Sequence, residues 1–135
     1  MSTLKVNTIQ NTSAAHSSTP QQIAEGRAKA WCHWNSDGTL SIYDSFNISS
    51  VSDDGTGQFT VNIDTDMADA NYCVVGACQG EGSPNGSNNL IQIHSKHPND
   101  ADDPTAGSFQ CCLVHTANNV KQDADRIMIV VFGDQ

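Results

Sequence analysis

The sequence predicts an all-β fold: an antiparallel β-sandwich of about seven or eight strands, with an extended N-terminal arm and one short helix near residues 20–25. Three observations carry this expectation. Between Arg27 and Cys78 apolar and polar residues alternate in run after run, most cleanly in Phe59-Thr60-Val61-Asn62-Ile63, which is the period of strands that bury one face. The gaps between these runs are filled by Gly, Asp, Asn and Ser, the residues of tight turns. The length of 135 residues suits one domain with one hydrophobic core.

Residues 1–18 read as an arm. Leu4 and Val6 mark one short strand, and the small polar residues from Asn11 to Ser18 are flexible in composition. The domain proper spans 19–135. It opens on a helix with Thr19 as N-cap, Pro20 in the first helical position, Gln22 completing a capping box and Gly26 as the C-terminal cap. A helix of about two turns has to be held by packing.

The first strand, Ala28–Asn35, places Ala28, Ala30, Cys32 and Trp34 on one face and Lys29, Trp31 and His33 on the other. Asp37-Gly38 supplies a hairpin turn. Leu40–Ser50 reads as one strand with Leu40, Ile42, Phe46 and Ile48 on one side, and a bend or bulge near Asp44-Ser45 relieves the polar interruption. A tight turn at 53–57, the strand Phe59–Ile63, a loop over 64–71 and the strand Tyr72–Gln79 follow. The stretches 80–89 and 97–107 are polar loops around the short strand Leu90–His94. Ser108–Thr116 and Asp125–Phe132 complete the fold, with a turn around Asn118-Asn119.

The final run, Ile127-Met128-Ile129-Val130-Val131-Phe132, is apolar on both faces, so both faces are expected to be covered. A neighbouring subunit is the economical second cover, and Trp31 on the outer side of its strand points the same way. A homo-oligomer is expected, with Trp31, Ile127, Ile129 and Val131 at the interface.

Charge and motif content exclude several functions. The formal net charge is −9, with six basic residues of which no two adjoin, so neither nucleic acid nor an anionic membrane surface is expected as a partner. The N-terminus lacks the charged-then-apolar layout of a signal peptide, which predicts folding in a cytosol. There, the five cysteines are expected as free thiols; no Cys-x-x-Cys occurs, and Cys111 and Cys112 must face opposite ways along a strand. His94 and His97 would need a turn after Ser95 to share a metal, and the oxygen-rich stretches at 53–57 and 64–66 do not match a calcium loop. No Gly-x-Ser-x-Gly motif or phosphate-cradling glycine loop occurs. No catalytic residue, cofactor or metal is therefore assigned.

Two sets of residues carry a resemblance. Ser2-Thr3-Leu4-Lys5-Val6-Asn7-Thr8-Ile9-Gln10 resembles the start of tail-fibre and other virion proteins of tailed bacteriophages of the marine and cyanobacterial type. Ala28-Lys29-Ala30-Trp31, Asp44-Ser45-Phe46-Asn47-Ile48-Ser49-Ser50, Gly55-Thr56-Gly57, Thr60-Val61-Asn62 and Asp69-Ala70-Asn71-Tyr72 resemble blocks that recur in that order in such proteins. The resemblance covers roughly residues 1–78 and fades from Gly80 onward.

It implies a β-rich, usually trimeric virion component, made in the host cytoplasm and without catalytic residues. Residues 1–18 would then serve attachment to other virion proteins or contact between subunits, on a tail fibre or tip or on the capsid exterior as a decoration or head-fibre protein. The loops would face outward, with Ser83, Asn85, Asn88, Asp100, Asp102 and Asp103 as candidate recognition residues. The alternative is a carbohydrate-binding module for a host surface glycan, for which Trp31, Trp34, Tyr43 and Tyr72 are the available stacking rings.

Overall fold

The computed structural model describes residues 3–13, 17–79, 89–93, 103–115 and 119–135, and of 89–93 the backbone alone. Among the described residues the elements are β1 (Ile9–Gln10), β2 (Ser17–Ser18), α1 (Pro20–Gly26), β3 (Ala30–Asn35), β4 (Ser41–Phe46), β5 (Ile48–Gly55), β6 (Gln58–Ile63), β7 (Cys73–Gln79), β8 (Asn89–Ile93), β9 (Ser108–His115), β10 (Val120–Lys121) and β11 (Arg126–Phe132). All strand pairing is antiparallel. One sheet has the order β4-β3-β11-β7; the other runs β10-β9-β6-β5, with β8 on the other side of β9; β1 and β2 pair by themselves.

The expected antiparallel sandwich is what forms, because alternation gives each sheet one apolar face. Ala30, Cys32 and Trp34 from β3 and Ile127, Ile129 and Val131 from β11 face Phe59, Val61 and Ile63 from β6 and Phe109, Cys111 and Leu113 from β9. All twelve are buried. The Trp34 and Phe59 rings meet edge to face, with centroids 5.9 Å apart. Tyr72 closes one end of the core: its ring packs on Phe109, and its hydroxyl lies 2.9 Å from the carbonyl oxygens of both Thr105 and Ser108.

One expected strand is two. Leu40–Ser50 divides at Asn47, with β4 in one sheet and β5 in the other. Asn47 has φ 54°, a left-handed conformation that no strand residue holds, so the chain turns there and crosses between sheets. Its side chain fixes the corner. Asn47 Nδ2 donates to the carbonyls of Lys29 (3.1 Å) and Thr65 (3.0 Å), and Oδ1 accepts from the Thr65 amide (2.8 Å). The irregularity expected near Asp44-Ser45 sits one step away: the β3–β4 register shifts between His33 and Trp34, leaving Tyr43 as the extra residue.

The arm also differs from expectation. Leu4 to Val6 form no strand, and the arm's pairing is Ile9–Gln10 with Ser17–Ser18. The capping box is present, with the Gln22 amide donating to Thr19 Oγ1 and the Thr19 amide to Gln22 Oε1. Gly26 ends the helix as its last residue, and the C-cap is Arg27 in an extended conformation.

Candidate interaction surface

The register of the four-stranded sheet decides what its outer face presents. Val130 pairs with Trp31 on one side and Val75 on the other, and Trp31 pairs with Phe46. Direct partners point the same way. Phe46, Trp31, Val130 and Val75 therefore form one apolar row across all four strands. Met128 stands in the row on one side of it, between His33 and Ala77, and Phe132 in the row on the other side, beside Cys73. Phe46 is 53% exposed and Val75 56% exposed, values far outside the core range for such side chains.

On the other sheet the outer face of β5 and β6 is the opposite in character. Ser50 and Ser52 of β5 pair with Asn62 and Thr60 of β6, whose other partners are Ser108 and Gln110 of β9. These side chains satisfy one another: Asn62 Nδ2 donates to Ser50 Oγ (3.0 Å) and Thr60 Oγ1 to Asp54 Oδ2 (2.5 Å). The outer face is thus polar over β5 and β6, with Cys112 and Val114 of β9 as apolar members beside it, whereas the four-stranded sheet is apolar across all its strands. A large exposed apolar patch on an otherwise polar protein marks an interaction surface.

Of the expected interface residues, Trp31 lies on this outer face, half-buried beside Phe46. Ile127, Ile129 and Val131 do not: they are at most 1% exposed, inside the sandwich. The period of 2 makes the assignment all-or-none, since neighbours in a strand face opposite ways. A contact through β11 falls to Met128, Val130 and Phe132. Phe46, expected on the same side as Leu40 and Ile42, also belongs to the outer face, because the extra residue at Tyr43 resets the alternation of β4.

At one corner of the face, the His33 and Tyr43 ring centroids are 4.8 Å apart and the Arg126 guanidinium lies 5.9 Å from the Tyr43 centroid. Asp44 is the cross-strand partner of His33. His33 Nε2 is buried without a hydrogen-bond partner, as is Trp34 Nε1 in the core. Of the rings considered for sugar stacking, Trp34 and Tyr72 are committed to the interior, and Tyr43 is the one more than half exposed.

A second apolar surface belongs to the arm and helix. α1 buries none of its residues, and Ile23 is 45% exposed; Leu4 and Ile9 in the arm are 85% and 53% exposed. Leu4, Val6, Ile9, Pro20, Ile23 and Ala24 line an open cleft of about 580 Å³, with Lys5 and Arg27 also on its wall.

The loop residues Ser83, Asn85, Asn88, Asp100 and Asp102, with His94 and His97, lie outside the described residues. Asp103 is exposed. Among the described residues no group of three or more His, Cys, Asp or Glu side chains is placed to hold a metal, and no helix is long and apolar enough to cross a membrane. The turn aspartates serve the backbone instead: Asp53 Oδ1 accepts from the Gly55 amide (3.0 Å) and Asp123 Oδ1 from the Gly57 amide (2.8 Å).

None of the five cysteines is in a disulfide. Cys111 faces the core and Cys112 the outer side of β9, as alternation requires, and both are buried. Burial pushes the Cys111 thiol up to about 12; burial and then the charge of Asp44 push Cys32 up to about 11. These thiols stay protonated and inert near neutral pH. Compared with protein-family models, curated proteins and solved structures, the chain finds no match in any of the three.

Proposed function

We propose that the chain is a non-enzymatic structural protein of a tailed-phage virion, a homo-oligomeric β-sandwich, with a trimer favoured, carried on the tail or on the capsid exterior. The observation that carries this reading is the apolar row Phe46–Trp31–Val130–Val75 across the outer face of one sheet, where β5 and β6 of the other sheet present Ser50, Ser52, Asn62 and Thr60. A solitary sandwich would leave that row in water. A component built to assemble covers it with another subunit. The resemblance of residues 1–78 to virion proteins supports the setting, and the acidic remainder suits a soluble exterior part.

The test is mass spectrometry of gradient-purified particles, followed by cryo-electron microscopy of the same preparation. The chain is expected as a stoichiometric particle component with repeated density on the surface. A chain found only in the infected-cell lysate and absent from particles would overturn the reading.

A further inference from the structure

Two apolar surfaces stand open on this chain, and their charges differ in sign. In residues 1–27, Lys5 and Arg27 oppose Glu25 alone, a net of +1, which leaves −10 on the rest of a chain whose total is −9. Both cations line the cleft between arm and helix, whose wall is otherwise Leu4, Val6, Ile9, Ile23 and their neighbours. The apolar face of the β4-β3-β11-β7 sheet is bordered by exposed aspartates at both ends. Asp37 follows β3 and Asp44 lies in β4; Asp69 precedes β7 and Asp134 follows β11.

From this we infer that the arm-and-helix unit of one copy seats on the outer face of the four-stranded sheet of a second copy. The Leu4–Ile9–Ile23 surface would cover the row from Phe46 to Val75, while Lys5 and Arg27 reach the bordering aspartates. The occupant is another copy of this chain because one chain carries both halves of a complementary pair, apolar against apolar and cationic against anionic. Each half is a poor match for itself: two arm units would oppose Lys5 and Arg27 to their own kind, and two sheet faces, each with four bordering aspartates against the exposed Arg126, would oppose net negative charge to net negative charge. Among the described residues the cleft is lined only by residues between Leu4 and Arg27, with no sandwich residue on its wall.

Such a contact is heterologous, head to tail, and closes into a ring when the rotation per subunit divides the circle. The inference rests on the homo-oligomer of the proposed function and names the surfaces that make it.

The experiment uses the purified full chain and two variants at exposed positions. Leu4→Asp/Ile23→Asp disables the arm unit; Phe46→Asp/Val75→Asp disables the sheet face. Far-UV circular dichroism and thermal melts matching the unsubstituted chain establish that each variant folds; should the sheet variant melt early, Val75→Asp alone replaces it. Sedimentation velocity over a concentration series is then expected to show an integer multiple of the chain mass for the unsubstituted protein, and a monomer for each variant. Mixing the two variants is expected to yield a 1:1 heterodimer that goes no further, because one partner retains a working arm and the other a working face.

An unsubstituted chain that stays monomeric, a variant that keeps the full oligomer mass, or a mixture that remains two monomers would each overturn the inference. A monomeric unsubstituted chain would overturn the homo-oligomer of the proposed function as well, whereas a variant that keeps the full mass or an unmixed pair overturns the surfaces alone; none of these outcomes bears on whether the chain is found in particles.

Discussion

Asn47 and Thr65 hold each other by two hydrogen bonds, the Thr65 amide donating to Asn47 Oδ1 at 2.8 Å and Asn47 Nδ2 donating to the Thr65 carbonyl at 3.0 Å. The pair sits where β4 leaves one sheet and β5 enters the other, and Asn47 holds φ 54° to make the crossing. Two effects converge on the residue and can be separated. Asn47→Gly keeps the backbone conformation and removes the side-chain bonds, so a loss of about 1–2 kcal/mol is expected. Asn47→Ala removes the bonds and adds left-handed strain, for a further loss of about 1 kcal/mol. Urea unfolding of both variants measures the difference, and equal stabilities would contradict this account of the corner.

Glycines with similar φ should behave differently according to what surrounds them. Gly57 (φ 62°) faces backbone: a Cβ there would stand 2.7 Å from the Gln122 amide nitrogen and 2.8 Å from the Leu113 carbonyl oxygen. Gly38 (φ 73°) has open space around its missing side chain. Gly38→Ala is expected to cost about 1 kcal/mol for the conformation alone. Gly57→Ala is expected to cost about 3 kcal/mol or more, because the β9–β10 backbone must move. Thermal melts of the two variants provide the comparison.

Residues in adjacent rows of one sheet but on its opposite faces should separate stability from assembly. Ile129 is 1% exposed between the sheets, and Ile129→Ala is expected to cost about 3 kcal/mol through the cavity it leaves. Val75→Ser, on the outer face, is expected to change monomer stability by no more than about 0.5 kcal/mol. Denaturant titration at low protein concentration tests both.

The thiols should report burial directly. Cys73 is exposed, whereas Cys32 and Cys111 are buried. At pH 8 an alkylating reagent is expected to modify Cys73 first, and Cys32 and Cys111 at rates on the order of a hundredfold lower. Peptide mass spectrometry after timed quenching gives the order.

Alkaline stability follows from the same groups with a definite sign. Cys32 and Cys111 rise from 9.0 to about 11 and about 12 in the fold, and Tyr72 from 10.0 to about 12, in each case chiefly through burial. Above pH 9 the unfolded chain releases these protons while the folded chain keeps them, so stability falls as pH rises. It is expected to stay level with respect to these groups between pH 7 and 8.5 and to decline from pH 9 to 12. Cys32→Ala/Cys111→Ala is expected to reduce the decline between pH 9 and 10, leaving the part due to Cys112, which burial also raises, and the onset of Tyr72. Chemical denaturation across that range makes the measurement.

The fold class was legible in the sequence because alternation of period 2 and turn residues are local properties. Phe59 to Ile63 alternates whichever strand lies beside it, Thr19 caps its helix through a bond three residues away, and the run from Ile127 to Phe132 is apolar at every position without reference to any partner. Tertiary structure alone decided which face of that run was which. Ile127, Ile129 and Val131 turn inward because their cross-strand partners on β3, Trp34, Cys32 and Ala30, fill the space opposite Phe59 and Val61. One step of register would have exchanged them for Met128, Val130 and Phe132. The division at Asn47 and the apolar row across four strands were equally beyond local reading: Phe46, Trp31, Val130 and Val75 are scattered from position 46 to 130 or reached backwards to 31, and only strand pairing brings them into line. Pattern sets what each strand is; register, a long-range property, sets what the assembled sheet presents.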